Sequence, residues 1–177
     1  MEGFLDLENT FIIGDNHFRH NNIIKYENRP FKNVDEMDRV MMNLWNSTVS
    51  NKSKIIINGD FVFGNKKNVE DIVSKLNGYK ILILGNHDQF TPGFYHSIGI
   101  QEVSRYPIFV NEFLLISHRP QYVSENTPYV NIFAHVHTNP EYNTITAKSA
   151  CVSAERWNYT PIRLSHICKK IQEIRGE

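Results

Sequence analysis

Five short stretches of the chain carry residues that bind cations or move protons. They are Asp15-x-His17, Gly59-Asp60, Gly85-Asn86-His87-Asp88, His118 and His135-x-His137. Together they supply carboxylate, imidazole and amide donors, a borderline-to-hard set suited to Mn, Fe, Co, Ni or Zn. No thiolate joins them, because Cys151 and Cys168 stand in no CxxC spacing, which argues against both a structural zinc site and a disulfide framework. Cys151 reads as a free thiol. Singly, each stretch is weak: an aspartate after a strand is as readily a turn residue, and one histidine as readily a hydrogen-bonded structural residue. Their joint order points to a reactive metal centre.

The elements that must position these residues are legible around them. Phe11-Ile12-Ile13 leads into Gly14-Asp15, Ile55-Ile56-Ile57 into Asn58-Gly59-Asp60, and Ile81 to Leu84 into Gly85. Short apolar runs closed by turn residues read as buried parallel strands, and open α/β sheets bind ligands at the carboxyl ends of such strands. Between them, a short helix is expected over Ile23 to Tyr26, ending before Arg29-Pro30. Asn33 to Glu36 has capping-box spacing and opens a helix through Met37, Val40, Met41, Leu44, Trp45 and Val49. Asn68 is expected to cap a helix through Val69, Ile72, Val73 and Leu76, ended by Asn77-Gly78. The first half therefore reads βαβαβ with right-handed crossovers.

The second half reads as strands in close succession without helices: 102–104, 107–110, 113–117 and 129–134, with a hairpin turn at Asn111-Glu112. Two of these runs end in histidine, and His135 and His137, alternate in an extended segment, are expected to point together. The polar segment 138–158 is expected to be a long functional or mobile loop. A last strand over 159–164 and a terminal helix capped by Ser165, packed through Ile167, Ile171 and Ile174, close the chain.

At 177 residues, 41% of them hydrophobic, the chain is expected to form one domain over 1–177. Nineteen acidic and nineteen basic residues balance, so the charge footprint of a protein living on nucleic acid is absent. Met1 to Glu8 carries three acids and no base, unlike a secretory signal, and no apolar run approaches membrane-spanning length. Cytoplasmic residence, no membrane partner and a small-molecule substrate are the expectation.

In order, the motifs resemble those of the calcineurin-like metallophosphoesterases, D-x-H, G-D, G-N-H-[DE], H and G-H-x-H. HFRHNNIIKYENRPF, LNGYKILILGNHD, SHRP and ERWNYTPI are similar to a small phosphoesterase branch of bacteria and phages. The resemblance implies an α/β (α+β) fold, a four-layer αββα sandwich of two mixed β-sheets flanked by helices. It implies two divalent transition-metal ions, manganese foremost, with Fe, Zn, Ni or Co as alternatives. Asp15, His17, Asp60 and His137 would hold one ion and Asp60, Asn86, His118 and His135 the other, with Asp60 bridging. It further implies hydrolysis of small, nucleotidic phosphoesters, diesters ahead of monoesters, by hydroxide attack with His87 as general acid and Asp88 orienting its ring. Arg19, His20 and Arg119, beside the ligands, are candidate substrate contacts. Two positions depart from the pattern: Arg19 where glycine is expected in this branch, and Ala134 in the first place of G-H-x-H. The alternative readings are a catalytically weak scaffold of the same fold and a nuclease, which needs a strand-binding groove.

Overall fold

The protein was described from a computed structural model over residues 5–176, so part of the acidic stretch Met1 to Glu8 lies outside the described residues. The first half forms β1 (Thr10–Ile13), α1 (Ile23–Tyr26), α2 (Val34–Thr48), β2 (Lys54–Asn58), α3 (Lys66–Val73), β3 (Tyr79–Ile83), α4 (Pro92–Ser97) and β4 (Glu102–Ser104). The second forms β5 (Ile108–Val110), β6 (Leu114–Ile116), β7 (Val130–Phe133), β8 (Ser149–Cys151), a 3-10 turn at Ala154–Trp157, β9 (Ile162–Arg163) and α5 (Leu164–Arg175). One sheet runs β4-β3-β2-β1-β9, parallel except for β9, and the other runs β5-β6-β7-β8, parallel except for β5. Both sheets are mixed, and helices flank them.

The isoleucine-rich runs make sense in this arrangement because β1, β2 and β3 are covered on both faces. Ile13, Ile55, Ile57 and Leu82 pack with Met37, Met41 and Trp45 of α2 and Val69, Ile72 and Val73 of α3. The alternate residues Ile12, Ile56, Ile81 and Ile83 meet Leu114, Ile116, Val130 and Ile132 of the second sheet, together with Leu164, Ile167 and Ile171 of α5. Each of these side chains contributes about 1.5–3 kcal/mol by leaving water. Among the described residues no helix is long and apolar enough to cross a membrane.

Several element boundaries differ from the sequence reading. The cap of α3 is Asn65, whose side chain accepts the Asn68 N–H, so the helix starts one turn before the expected Asn68. The terminal helix begins at Leu164, which puts Ser165 inside it. Ile174 is 53% exposed, and Leu164 takes up the core position instead. α4 is an addition, opened by a Thr91 side chain that accepts the Phe94 N–H and by Pro92 in the first turn. The hairpin β5–β6 does turn at Asn111-Glu112, with φ of 50° and 66° at the two residues. The segment 138–158 is not a bare loop: β8 adds to β7, and Cys151 is a buried strand residue.

Candidate metal centre

The site is built from loops that leave the carboxyl ends of β1, β2, β3, β6 and β7. Hydrogen bonds stitch the two sheets together at this edge. Gly14 donates to the Val152 carbonyl at 2.8 Å and accepts from the Ala154 N–H at 3.0 Å, while Asn58 Nδ2 donates to the Ser117 carbonyl at 3.0 Å. The loops themselves adopt left-handed backbone, with φ of 53° at Asp15, 51° at His17, 52° at Asp60, 72° at His135 and 45° at His137. For non-glycine residues this conformation costs on the order of 1–3 kcal/mol each and persists only where the surroundings enforce it. His135 and His137 are therefore not alternate residues of an extended strand. β7 ends at Phe133, and Asp15 Oδ2 accepts the His135 N–H at 2.7 Å, which turns the chain. Gly85 is required by close approach, since a Cβ there would stand 2.2 Å from Asp60 Oδ1.

The loops bring together two groups of donors, Asp15 with His17 and His137, and Asp60 with His118 and His135; within each, the ligand atoms lie within 4.8 Å of one another. Asp60 Oδ2 stands between the groups, 3.6 Å from His17 Nε2 and 3.4 Å from His118 Nε2. Asn86 Oδ1 lies 3.2 Å from His118 Nε2. Asp15 Oδ1 and His17 Nε2 are buried and have no hydrogen-bond partner. Buried polar atoms are rarely left so, and both are donors that a cation accepts, so the residues fit a metal ion.

The electrostatics have the same character. Burial pushes the Asp15 carboxyl up to about 6 and holds the His17 ring well below the usual imidazole range. Burial also works against ionisation of Asp60, but the hydrogen bond and charge of His118 outweigh it and keep that carboxyl below its ordinary range. His87 donates its backbone N–H to Asp60 Oδ1 at 2.8 Å, and its ring lies 5.4 Å from that of His17. His20 stacks on Phe63 at 4.2 Å and 12°, with its Nδ1 3.2 Å from His17 Nδ1.

Two expected roles change. Asp88 accepts the Asp60 and Gly85 N–H groups on Oδ2, both at 2.8 Å, and the Phe61 N–H on Oδ1 at 3.1 Å. Its carboxylate thus holds the loops carrying Asp60 and Asn86 in place and is spent on backbone instead of the His87 ring. Arg19 is bound by carboxylates of α2, with Nη1 2.9 Å from Asp35 Oδ1 and its N–H donated to Asp38 Oδ1 at 3.0 Å. Arg119 is exposed and lines a cavity beside Asn86 and His118.

Asp38 gives a test of that tether. Burial raises its carboxyl to about 6, against the opposing effect of Arg19. A carboxyl raised on folding favours the folded state below its unfolded value near 4, and that contribution is lost as pH rises through 6. Asp38→Asn keeps an acceptor for the Arg19 N–H. The variant is expected to be about 1–2 kcal/mol more stable than wild type at pH 8 and to have no advantage at pH 3.5, as read by thermal melts.

The sequence reading missed Arg29 and Glu155. Glu155 Oε1 lies 3.0 Å from His137 Nδ1 and accepts from Arg29 Nη2 at 2.6 Å and Nε at 2.9 Å, while Arg29 also donates to the carbonyls of Asp15 at 2.7 Å and Asn16 at 2.8 Å. One buried ion pair therefore orients His137 and fixes the Asp15–His17 loop. Burial opposes the charge on both His137 and Glu155. Their mutual hydrogen bond prevails, raising the imidazole to about 9 and lowering the carboxyl to about 2. Both residues stand in matched flanking text, Arg29 in NRPF and Glu155 in ERWNYTPI, but no spacing links them. Glu27, His137 and Glu155 form a third grouping, in which Glu155 is engaged by Arg29 and Glu27 by Thr138. Glu155→Gln is expected to weaken Mn²⁺ binding about 10- to 100-fold, as measured by calorimetric titration.

Fold and edge together define a two-sheet α/β protein whose strand ends gather histidine and aspartate groups compatible with metal binding. No family model matches the chain. The chain belongs to the family of the uncharacterized protein MJ1445 of Methanocaldococcus jannaschii, with 34% identity over 175 residues, 96% of this chain and 94% of the relative. Among solved structures, it is similar to a protein of unknown function, AQ665 from Aquifex aeolicus, with TM-score 0.69 and 25% identity over 91% of this chain and 98% of that one. It also shares its fold with the Pseudomonas putida nuclease MPE, with TM-score 0.51 and 19% identity over 76% of this chain and 64% of that one.

Proposed function

We propose that the chain, read as one catalytic domain over 1–177, is a cytoplasmic phosphoester hydrolase of the calcineurin-like metallophosphoesterase superfamily, acting on small nucleotidic phosphodiesters ahead of monoesters. The observation that carries this reading is Asp60 Oδ2, set between His17 of one donor group and His118 of the other. A carboxylate placed between two donor sets could be shared by two ions held in them. Asp15, His17, Asp60 and His137 would hold one ion and Asp60, Asn86, His118 and His135 the second, with manganese the expected metal. When bound, such ions polarise phosphoryl oxygens and make hydroxide available near neutral pH.

The chain's own residues then complete the chemistry. His87, on the loop that donates an N–H to Asp60, delivers a proton to the departing alkoxide. Asp88 serves this step indirectly by holding Asp60 and Gly85 in register. His20, beside His17, and Arg119, in the cavity beside His118, contact substrate, whereas Arg19 stabilises the first loop through α2. Purified protein with Mn²⁺ is expected to hydrolyse bis(p-nitrophenyl) phosphate, to lose that activity on chelation and to regain it on adding Mn²⁺ back. A preparation inactive on a broad ester panel with Mn²⁺, Fe²⁺, Co²⁺, Ni²⁺ and Zn²⁺ would refute the reading.

A further inference from the structure

A cavity of about 260 Å³ opens beside Asn86 and His118, and Arg105, Tyr106, Arg119 and Gln121 line its outer part. That volume is below the roughly 300–1,000 Å³ of a site enclosing a whole ligand. It suits one portion of a substrate whose reacting phosphate lies over the donor groups. Among the described residues none that lines it is acidic. Among the described residues neither Arg105 nor Arg119 has an ion-pair partner. In a chain of zero net charge, this is a local excess of two guanidinium groups.

The backbone that carries them is fixed in advance. Ser104 Oγ accepts the Tyr106 N–H at 3.1 Å and donates to the Tyr106 carbonyl at 2.7 Å, closing the turn that bears Arg105. Ser117 Oγ donates to the Arg119 carbonyl at 2.8 Å and accepts from the buried Asn131 Nδ2 at 2.8 Å, while Asn131 Oδ1 accepts the Gln121 N–H at 2.7 Å. The turn and the loop are thus set by short polar contacts, and among the described residues the two arginine side chains have no partner at the cavity. Arginine is shaped for paired hydrogen bonds to phosphate oxygens. The Tyr106 ring, 75% exposed, offers a stacking face next to them.

We infer that this cavity is a subsite for a second, terminal phosphate on the substrate, one sugar away from the phosphate that reacts. This deepens the hydrolase reading and rests on it: the substrate class becomes nucleotides carrying two phosphate groups, with the base against Tyr106.

The test is equilibrium binding by calorimetry, with thymidine 3′,5′-bisphosphate and thymidine 5′-monophosphate as probes, in Mn²⁺ and again in chelator. The bisphosphate is expected to bind wild type at least about tenfold more tightly than the monophosphate under both conditions. In the double variant Arg105→Ala, Arg119→Ala that ratio is expected to fall to near one while the melting temperature stays native. A wild-type ratio near one, or a ratio that survives in the folded double variant, overturns the subsite. An oligothymidylate without terminal phosphate that binds more tightly than the bisphosphate also overturns it. Because the ratio is also read in chelator, as binding and not turnover, it stands or falls separately from the ester assay proposed above.

Discussion

Asp60→Asn is expected to cut kcat/KM on bis(p-nitrophenyl) phosphate by about a thousandfold or more and to reduce bound metal from two equivalents to at most one. The size of the effect follows from what each oxygen does. Oδ1 accepts the His87 N–H, and Oδ2 lies within 3.6 Å of a ring nitrogen from each donor group. An amide removes the charge that the two proposed ions would share. It also presents an NH2 group either to the His87 N–H or to the cations, and neither is an acceptor. Elemental analysis after dialysis, alongside a thermal melt of the chelated protein, separates loss of metal from loss of fold. A variant that retains two equivalents and activity within tenfold of wild type would remove Asp60 from the centre.

His87→Ala is expected to behave differently, because its side chain is assigned to the leaving group and not to the metal. Metal content should stay at the wild-type level. The rate on a diester with an alkyl or ribose leaving group should fall about 10²- to 10⁴-fold, the range for loss of a positioned general acid. On p-nitrophenyl esters, whose leaving group departs without full protonation, the fall should be much smaller. A uniform loss across leaving groups, or a matching loss of metal, would place His87 among the ligands or the supports instead.

Much of this arrangement was readable from residue order. The isoleucine runs before Gly14, Asn58 and Gly85 are buried on both faces, so they declared themselves as parallel strands, and the motifs at their ends meet in space. What stayed hidden has physical causes. β8 is three residues long and sits among polar neighbours, so it has no periodicity to detect. α4 is a six-residue helix whose apolar face is little more than Tyr95. Arg29 and Glu155 pair across 126 positions, and a buried ion pair leaves no local pattern. The backbone contacts of Asp88 were equally hidden, because a carboxylate beside a histidine in sequence does not announce the three N–H groups that it accepts. The left-handed backbone at His135 and His137 escaped because nothing in H-x-H distinguishes a turn from a strand.

The late placement of β8, the 3-10 turn and β9 has a consequence for biosynthesis. Asp15 through Asn86 leave the ribosome before the partners of Gly14 at Val152 and Ala154, the Glu155 carboxylate and the edge strand beside β1. An unfinished polypeptide thus displays several of the imidazoles and carboxylates without the clamp that gives them a common focus. A centre at this edge would therefore gain its common focus only once residues 152–163 have emerged, and a polypeptide truncated before them would hold a cation poorly.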